Sequence, residues 1–173
     1  MVTVLIVCIL ILLNALFVAA EFAIVGAPRT AIERRAERGD RTAGRVYRIL
    51  TDARQQDRFI ATAQLGITLA SLGLGMYGEH MLAEWLVGYL DALGSMQWVA
   101  SHTLATVLSV AILTYFHIVL GEMVPKSLAL QKSQTTALWI TPPMRAIQTA
   151  LWPLVIVLNG IGNGILRLFG VRR

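Results

Sequence analysis

The sequence predicts an all-α integral membrane domain, with three transmembrane helices and a belt of amphipathic or re-entrant helices on the cytoplasmic side. Three observations predict it. Of the 173 residues, 56% are hydrophobic and only 14% are charged, well below the roughly 25% charged typical of soluble domains. No Lys or Arg occurs from Phe59 to Pro125, a stretch long enough for two crossings at about 20 residues each. Nine arginines and five acids crowd into residues 29–58, where the chain changes character abruptly.

Taken in order, residues 2–28 hold no Lys or Arg and one acid, Glu21, and read as the first span. A secretory leader needs a basic start and a short apolar core. Met1-Val2-Thr3 is not basic and the apolar run is too long, so a retained span is expected. In residues 29–58 apolar residues recur at Ile32, Ala36, Ala43, Val46, Ile49 and Leu50. That spacing predicts one or two amphipathic helices at the membrane surface, broken near Gly39-Asp40, with arginines toward headgroups or water.

The second span is expected over 59–78, a connector over 79–100 carrying Glu79, Glu84 and Asp91, and the third span over 101–124, ending at Pro125-Lys126. Residues 126–170 form further juxtamembrane structure. Basic residues flank its apolar stretch on both sides, from Lys132 to Arg167, Arg172 and Arg173, and Pro142-Pro143 predicts a break. A re-entrant or surface helix pair is therefore expected instead of a fourth crossing. Positive charge collects on the cytoplasmic side. That places 29–58 and the segment from Lys126 onward inside, the 79–100 connector and the N-terminus outside, and the C-terminus in the cytoplasm. The whole of 1–173 reads as one domain.

The net charge of +5 and pI near 10.0 fit this charge asymmetry better than nucleic-acid binding, for which no recognition motif is present. The single Cys8 excludes an internal disulfide, and His80, His102 and His117 lack zinc-ligand spacing. No nucleophile–base pair suggests an enzyme. Trp85, Trp98, Trp139, Trp152 and Tyr89 suit interfacial anchoring.

Polar residues inside apolar helices are costly and mark function. Glu122 leads them, within Gly121-Glu122-Met123-Val124-Pro125-Lys126. Pro125 has no N–H, so the Gly121 carbonyl loses its usual helical partner one residue from a carboxylate. The bland alternative for Glu122 is an i,i+4 ion pair with Lys126. Asn14 and Glu21, seven residues apart, share a face of the first span. Gln64, Thr68 and Ser71 form a polar stripe on the second, although hydroxyls and glycines there also serve close packing. His117 reads as a satisfied interhelical histidine. Carboxylate, amide, hydroxyl and freed carbonyl are hard oxygen ligands suited to Mg²⁺, Ca²⁺ or Na⁺, whereas soft metals want thiolate or imidazole clusters.

Asn14-Ala15-Leu16-Phe17-Val18-Ala19-Ala20-Glu21-Phe22-Ala23, Gln64-Leu65-Gly66-Ile67-Thr68-Leu69-Ala70-Ser71-Leu72-Gly73 and the Gly121–Lys126 segment together resemble the transmembrane domain of the CorC/cyclin M (CNNM) family, also called DUF21-type. The resemblance covers essentially the whole chain. Val18, Ala19 and Ala20 stand where many members carry serine or glycine. It implies a homodimer in the cell (plasma or inner) membrane that exports Mg²⁺ with Na⁺ as coupling ion. The implied ion site draws on Asn14, Glu21, Ser71, Gly121 and Glu122, with Gln64, Thr68, Pro125 and Lys126 in support. Members continue into a cytosolic pair of nucleotide-binding CBS domains, which these residues do not contain. The rival expectation is a membrane-embedded Mg²⁺ sensor or anchor, which shares every binding residue. An organic-anion carrier is disfavoured because the second and third spans contain no basic residue.

Overall fold

The computed structural model describes residues 2–92 and 98–168, and every regular element among them is helical. Helix α1 (Val2–Gly26) is the central post. It packs against the helices that begin at Ala53, Val124 and Ser133 and against both π-helical segments. The surface helices follow as α2 (Arg29–Glu37) and α3 (Arg41–Thr51). Helix α4 (Ala53–Gly73) passes through a π-helical turn, Leu74–Gly78, into α5 (Glu79–Ala92). Helix α6 (Trp98–Phe116) packs against α5 and passes through a longer π-helical segment, His117–Met123, into α7 (Val124–Gln131). The last helix is α8, Ser133–Leu168.

The break between α2 and α3 falls at Gly39-Asp40, as the composition predicts. Gly39 takes φ +90°, a left-handed conformation that favours glycine. Asp40 caps α3 by accepting from the N–H groups of Thr42 at 2.9 Å and Ala43 at 3.1 Å, and Arg35 Nε donates to it at 2.7 Å. The Ala43 N–H, then the Arg35 guanidinium, hold the Asp40 carboxyl below its ordinary value of 3.8. A depressed carboxylate stabilises the fold above its unfolded pKa and stops doing so as pH falls through the lowered value. The cap is therefore fully effective above about pH 5 and fades below pH 4. Asp40→Ala should expose the Arg38–Arg41 turn to trypsin at neutral pH, read as faster cleavage there. An unchanged digestion pattern would contradict the capping role.

Two cores hold the helices. Phe17, Ala20, Ala23 and Ile24 of α1 meet Ile32, Ala43, Val46, Ile49, Phe59, Ala129, Ala137, Leu138 and Met144. This cluster locks the surface helices onto one end of α1. Toward the other end Ile11, Leu74 and Leu113 form a smaller cluster. Outward faces stay apolar: Leu12, Met76, Val107 and Tyr115 are all exposed, as lipid-facing positions should be. Trp85, Trp139 and Trp152 are exposed too, consistent with interfacial anchoring. The side chains of Tyr89, Trp98 and His102, and residues Arg172 and Arg173, lie outside the described set.

The helices depart from the expected pattern in three places. Helix around the second expected span, 59–78, runs on at both ends, from Ala53 to Trp85, so the first part of the expected connector is helical. Helix does not stop at Pro125. Helix continues to Gln131 because the register widens beforehand, with the Val124 N–H bonding the Val119 carbonyl five residues back. A proline near the start of a new register removes a bond that was not needed there. Nor do Pro142 and Pro143 break the last segment. Helix α8 stays continuous through them and Pro153, and Ser133–Gly162 is a fourth stretch long and apolar enough to cross a membrane. Ala137, Leu138, Thr141 and Met144 are buried while all three prolines face outward. Packing on one face overrides proline's cost on the other.

Candidate functional site

Asn14 is fully buried in the middle of α1, where an unpaired amide would be expensive. Its Nδ2 donates to the Gly121 carbonyl at 3.0 Å. Since only the NH₂ side of the amide can donate, this bond fixes the amide orientation. Oδ1 then faces α4, where Ser71 Oγ donates to it at 3.5 Å. One amide thus ties α1 to both other spans.

The π-helical segment explains why Gly121 can take part. A Cβ at Gly121 would sit 3.0 Å from the His117 ring and 3.1 Å from Asn14 Nδ2, so any larger residue would push both side chains out of their present contacts. Single π segments recur at functional sites because they shift a helix's register and free backbone groups. Here the segment turns His117 inward as well. His117 Nε2 lies 3.4 Å from Ser71 Oγ and 3.9 Å from Glu122 Oε1. Gly121, Asn14, Ser71, His117 and Glu122 form one continuous polar chain across three helices.

Glu122 lies on this chain and not beside Lys126. Its side chain is 46% exposed at the open end of the junction. Lys126 Nζ instead stands 4.5 Å from the centre of the Phe22 ring, a cation–π contact, and no Glu122–Lys126 pair within 4.0 Å forms among the described residues. Pro125 is buried directly after the π segment.

The remaining predicted residues are placed elsewhere. Glu21 lies two turns from Asn14, about 10.5 Å along α1, and accepts from Gln64 Nε2 at 3.2 Å. That makes a second α1–α4 polar contact, apart from the first. Thr68 is exposed and returns its hydroxyl to its own helix, donating to the Gln64 carbonyl at 2.9 Å. The junction therefore gathers Asn14, Ser71, Gly121 and Glu122, leaves Glu21 with Gln64 on a separate rung, and leaves Thr68 outside. His117 is the addition to the predicted set. Its position four residues before Gly121 was the signal.

Chemically, the junction offers the Asn14 amide oxygen, the Ser71 hydroxyl, the Gly121 carbonyl and the Glu122 carboxylate, all hard oxygens. Among the described residues no group of three His, Cys, Asp or Glu side chains is placed to hold a metal ion, so any cation here would depend mainly on neutral oxygens. Close packing keeps α1 and α4 in register beside it. A Cβ at Gly66 would lie 2.5 Å from three atoms of the Phe17 ring.

Comparison with known proteins agrees with this architecture. Residues 5–173 match the family described as the cyclin M transmembrane N-terminal domain. The chain is 36% identical over 164 residues to the Bacillus subtilis UPF0053 protein YhdT, covering 95% of this chain and 35% of that protein. It is 34% identical over 162 residues to UPF0053 protein YugS of the same organism, covering 94% of the chain and 37% of the relative. An uncharacterized Mycobacterium tuberculosis protein is 38% identical over 159 residues, 92% of this chain and 44% of its own length. The chain thus spans roughly two fifths of the length of these relatives. Four apolar stretches, and a family match over nearly every residue, mean that this multi-pass membrane chain belongs to the cyclin M transmembrane N-terminal domain family.

Proposed function

We propose that this domain carries Mg²⁺ across the membrane, exporting it in exchange for Na⁺, through an oxygen site where α1, α4 and the second π-helical segment meet. One observation carries the reading: Asn14, Ser71 and Gly121 come from three separate helices and touch through a buried amide. Asn14 Oδ1 and Ser71 Oγ lie near the spacing that a small cation asks of its ligands. Mg²⁺ takes near-octahedral oxygen at about 2.0–2.1 Å, which sets neighbouring ligands about 3 Å apart. The 3.5 Å between Asn14 Oδ1 and Ser71 Oγ needs only a small approach to reach that spacing.

Each residue then has a role. Asn14 Oδ1 and Ser71 Oγ replace water neutrally, and Glu122 supplies the charge that offsets a reluctant dehydration. The Gly121 carbonyl, held by Asn14, is released to the ion as the cation enters. Exchanging that hydrogen bond for an ion contact couples binding to a shift of α1 against the π segment, the kind of two-state element alternating access requires. His117 positions Ser71 and Glu122. Glu21 and Gln64, one rung away, form a relay toward the surface helices. Pro125 and Lys126 fix the segment's exit, Lys126 through Phe22. A homodimer in the cell membrane, N-terminus outside and surface helices in the cytoplasm, completes the reading, with exposed apolar faces left for lipid and the second copy.

A membrane-embedded Mg²⁺ sensor uses the same residues without moving ions, and flux separates the two. In sealed liposomes Glu122→Gln should lower Mg²⁺ flux at least tenfold while the purified protein stays monodisperse. Near wild-type flux from Glu122→Gln would remove Glu122 from the site.

A further inference from the structure

The arginines of the surface helices do not simply radiate into solvent. Arg45 and Arg48 of α3, Arg54 and Arg58 at the start of α4, and Arg145 of α8 line one cavity of about 720 Å³, with Trp152 in its wall. That volume lies within the range of small-ligand sites, about 300–1,000 Å³. Five arginines from three helices line it. Asp52 is the one carboxylate among the described lining residues. It is already engaged, accepting from the Arg54 N–H at 2.9 Å and from Gln55 Nε2 at 2.9 Å as the cap of α4.

A cleft lined by one sign of charge focuses its field and draws in ions of the other sign. Guanidinium forks also match phosphate oxygens in pairs. The cavity's place in the fold indicates where the phosphate comes from. Arg58 is the last basic residue before the uncharged-by-cation stretch that begins at Phe59. Trp152, exposed on α8, supplies the amphipathic ring characteristic of the membrane interface. Ile49, part of the main core, backs the same wall. A cationic floor beside an apolar rim, at the point where a span begins, suits an amphiphile better than a soluble ion.

We propose that this cavity is a binding site for a phosphate-bearing anion, presented by an anionic phospholipid whose headgroup meets Arg45, Arg48, Arg54, Arg58 and Arg145 and whose glycerol region lies against Trp152. The site is separate from the Asn14–Gly121 junction and does not depend on what that junction carries. A lipid held between α3, α4 and α8 ties the surface helices to the second span.

The test is native mass spectrometry of the purified full chain titrated with phosphatidylglycerol or phosphatidylcholine, with inorganic phosphate and pyrophosphate as soluble competitors. Wild type should retain one phosphatidylglycerol per chain at least tenfold more tightly than phosphatidylcholine. Arg48→Gln with Arg145→Gln should abolish that preference, and Arg48→Lys with Arg145→Lys should keep part of it. Both side chains replaced, Arg48 and Arg145, are at exposed positions, and single Arg145→Gln, expected to lose severalfold, serves if the pair fails to fold. Binding of pyrophosphate that displaces phosphatidylglycerol keeps the anion site and identifies a soluble phosphate as a competing source. Equal retention of the two lipids by wild type without phosphate binding, or an undiminished preference in the glutamine variants, overturns the proposal.

Discussion

Asn14→Leu should cost this protein both the proposed ion site and part of its stability. The Asn14 amide joins α1 to both α4 and the π-helical segment: it donates to the Gly121 carbonyl at 3.0 Å and accepts from Ser71. Leucine keeps the branching of the side chain, is bulkier, and supplies neither function. A buried carbonyl left without its partner costs about 1–3 kcal/mol, and Gly121 has few substitutes because Pro125 lacks an N–H. Mg²⁺ affinity should fall at least tenfold, together with a lower unfolding temperature in detergent. Asn14→Asp makes the contrast. It retains an acceptor for Ser71 and for a cation but loses the donor, so it should recover ion binding before it recovers stability. A leucine variant with unchanged Mg²⁺ affinity would place the ion elsewhere.

The second large effect is expected at Gly66. Alanine normally gains about 1 kcal/mol over glycine inside a helix. At Gly66 the new methyl would lie 2.5 Å from three atoms of the Phe17 ring, including the ring carbon nearest the backbone. Phe17 is only 7% exposed and cannot swing away freely. Overpacking of this kind costs about 1–3 kcal/mol, so the clash outweighs the propensity and Gly66→Ala should lower the melting temperature. Phe17→Leu in the same chain should restore part of the loss. Gly44→Ala is the control, because nothing lies within 4 Å of a Cβ there, and it should be neutral or stabilising. Equal stability of Gly66→Ala and wild type would mean that α1 and α4 pack less closely than described.

Much of this was legible in the sequence, for identifiable reasons. The α2–α3 break was visible because Gly39 and Asp40 carry turn and cap chemistry in their own side chains and backbone. The junction residues Asn14, Ser71, Gly121 and Glu122 were visible because polar groups in apolar helices must find partners. Their manner of meeting was not visible. Pro125 announced a freed carbonyl, but not that a π-helical register would carry the helix past it to Gln131. Nor could spacing alone show that the freed carbonyl faces an amide donor. Glu21 and Thr68 show the limit of face arguments. Glu21 shares a helical face with Asn14 yet sits two turns away with Gln64, and Thr68 lies on the polar stripe yet bonds its own helix. In α8 the prolines misled because their effect depends on which face is packed, and that is a tertiary property.

The site, the release of Gly121 and the exchange with Na⁺ all meet in one experiment. Purified protein is reconstituted into sealed vesicles loaded with Mg²⁺, and Mg²⁺ efflux is followed with and without an inward Na⁺ gradient, for wild type and for Asn14→Leu. The account predicts efflux from wild-type vesicles that the Na⁺ gradient accelerates, and efflux at the level of empty vesicles for Asn14→Leu. Wild-type vesicles that bind Mg²⁺ but leak no faster than protein-free ones would contradict it and leave the sensor.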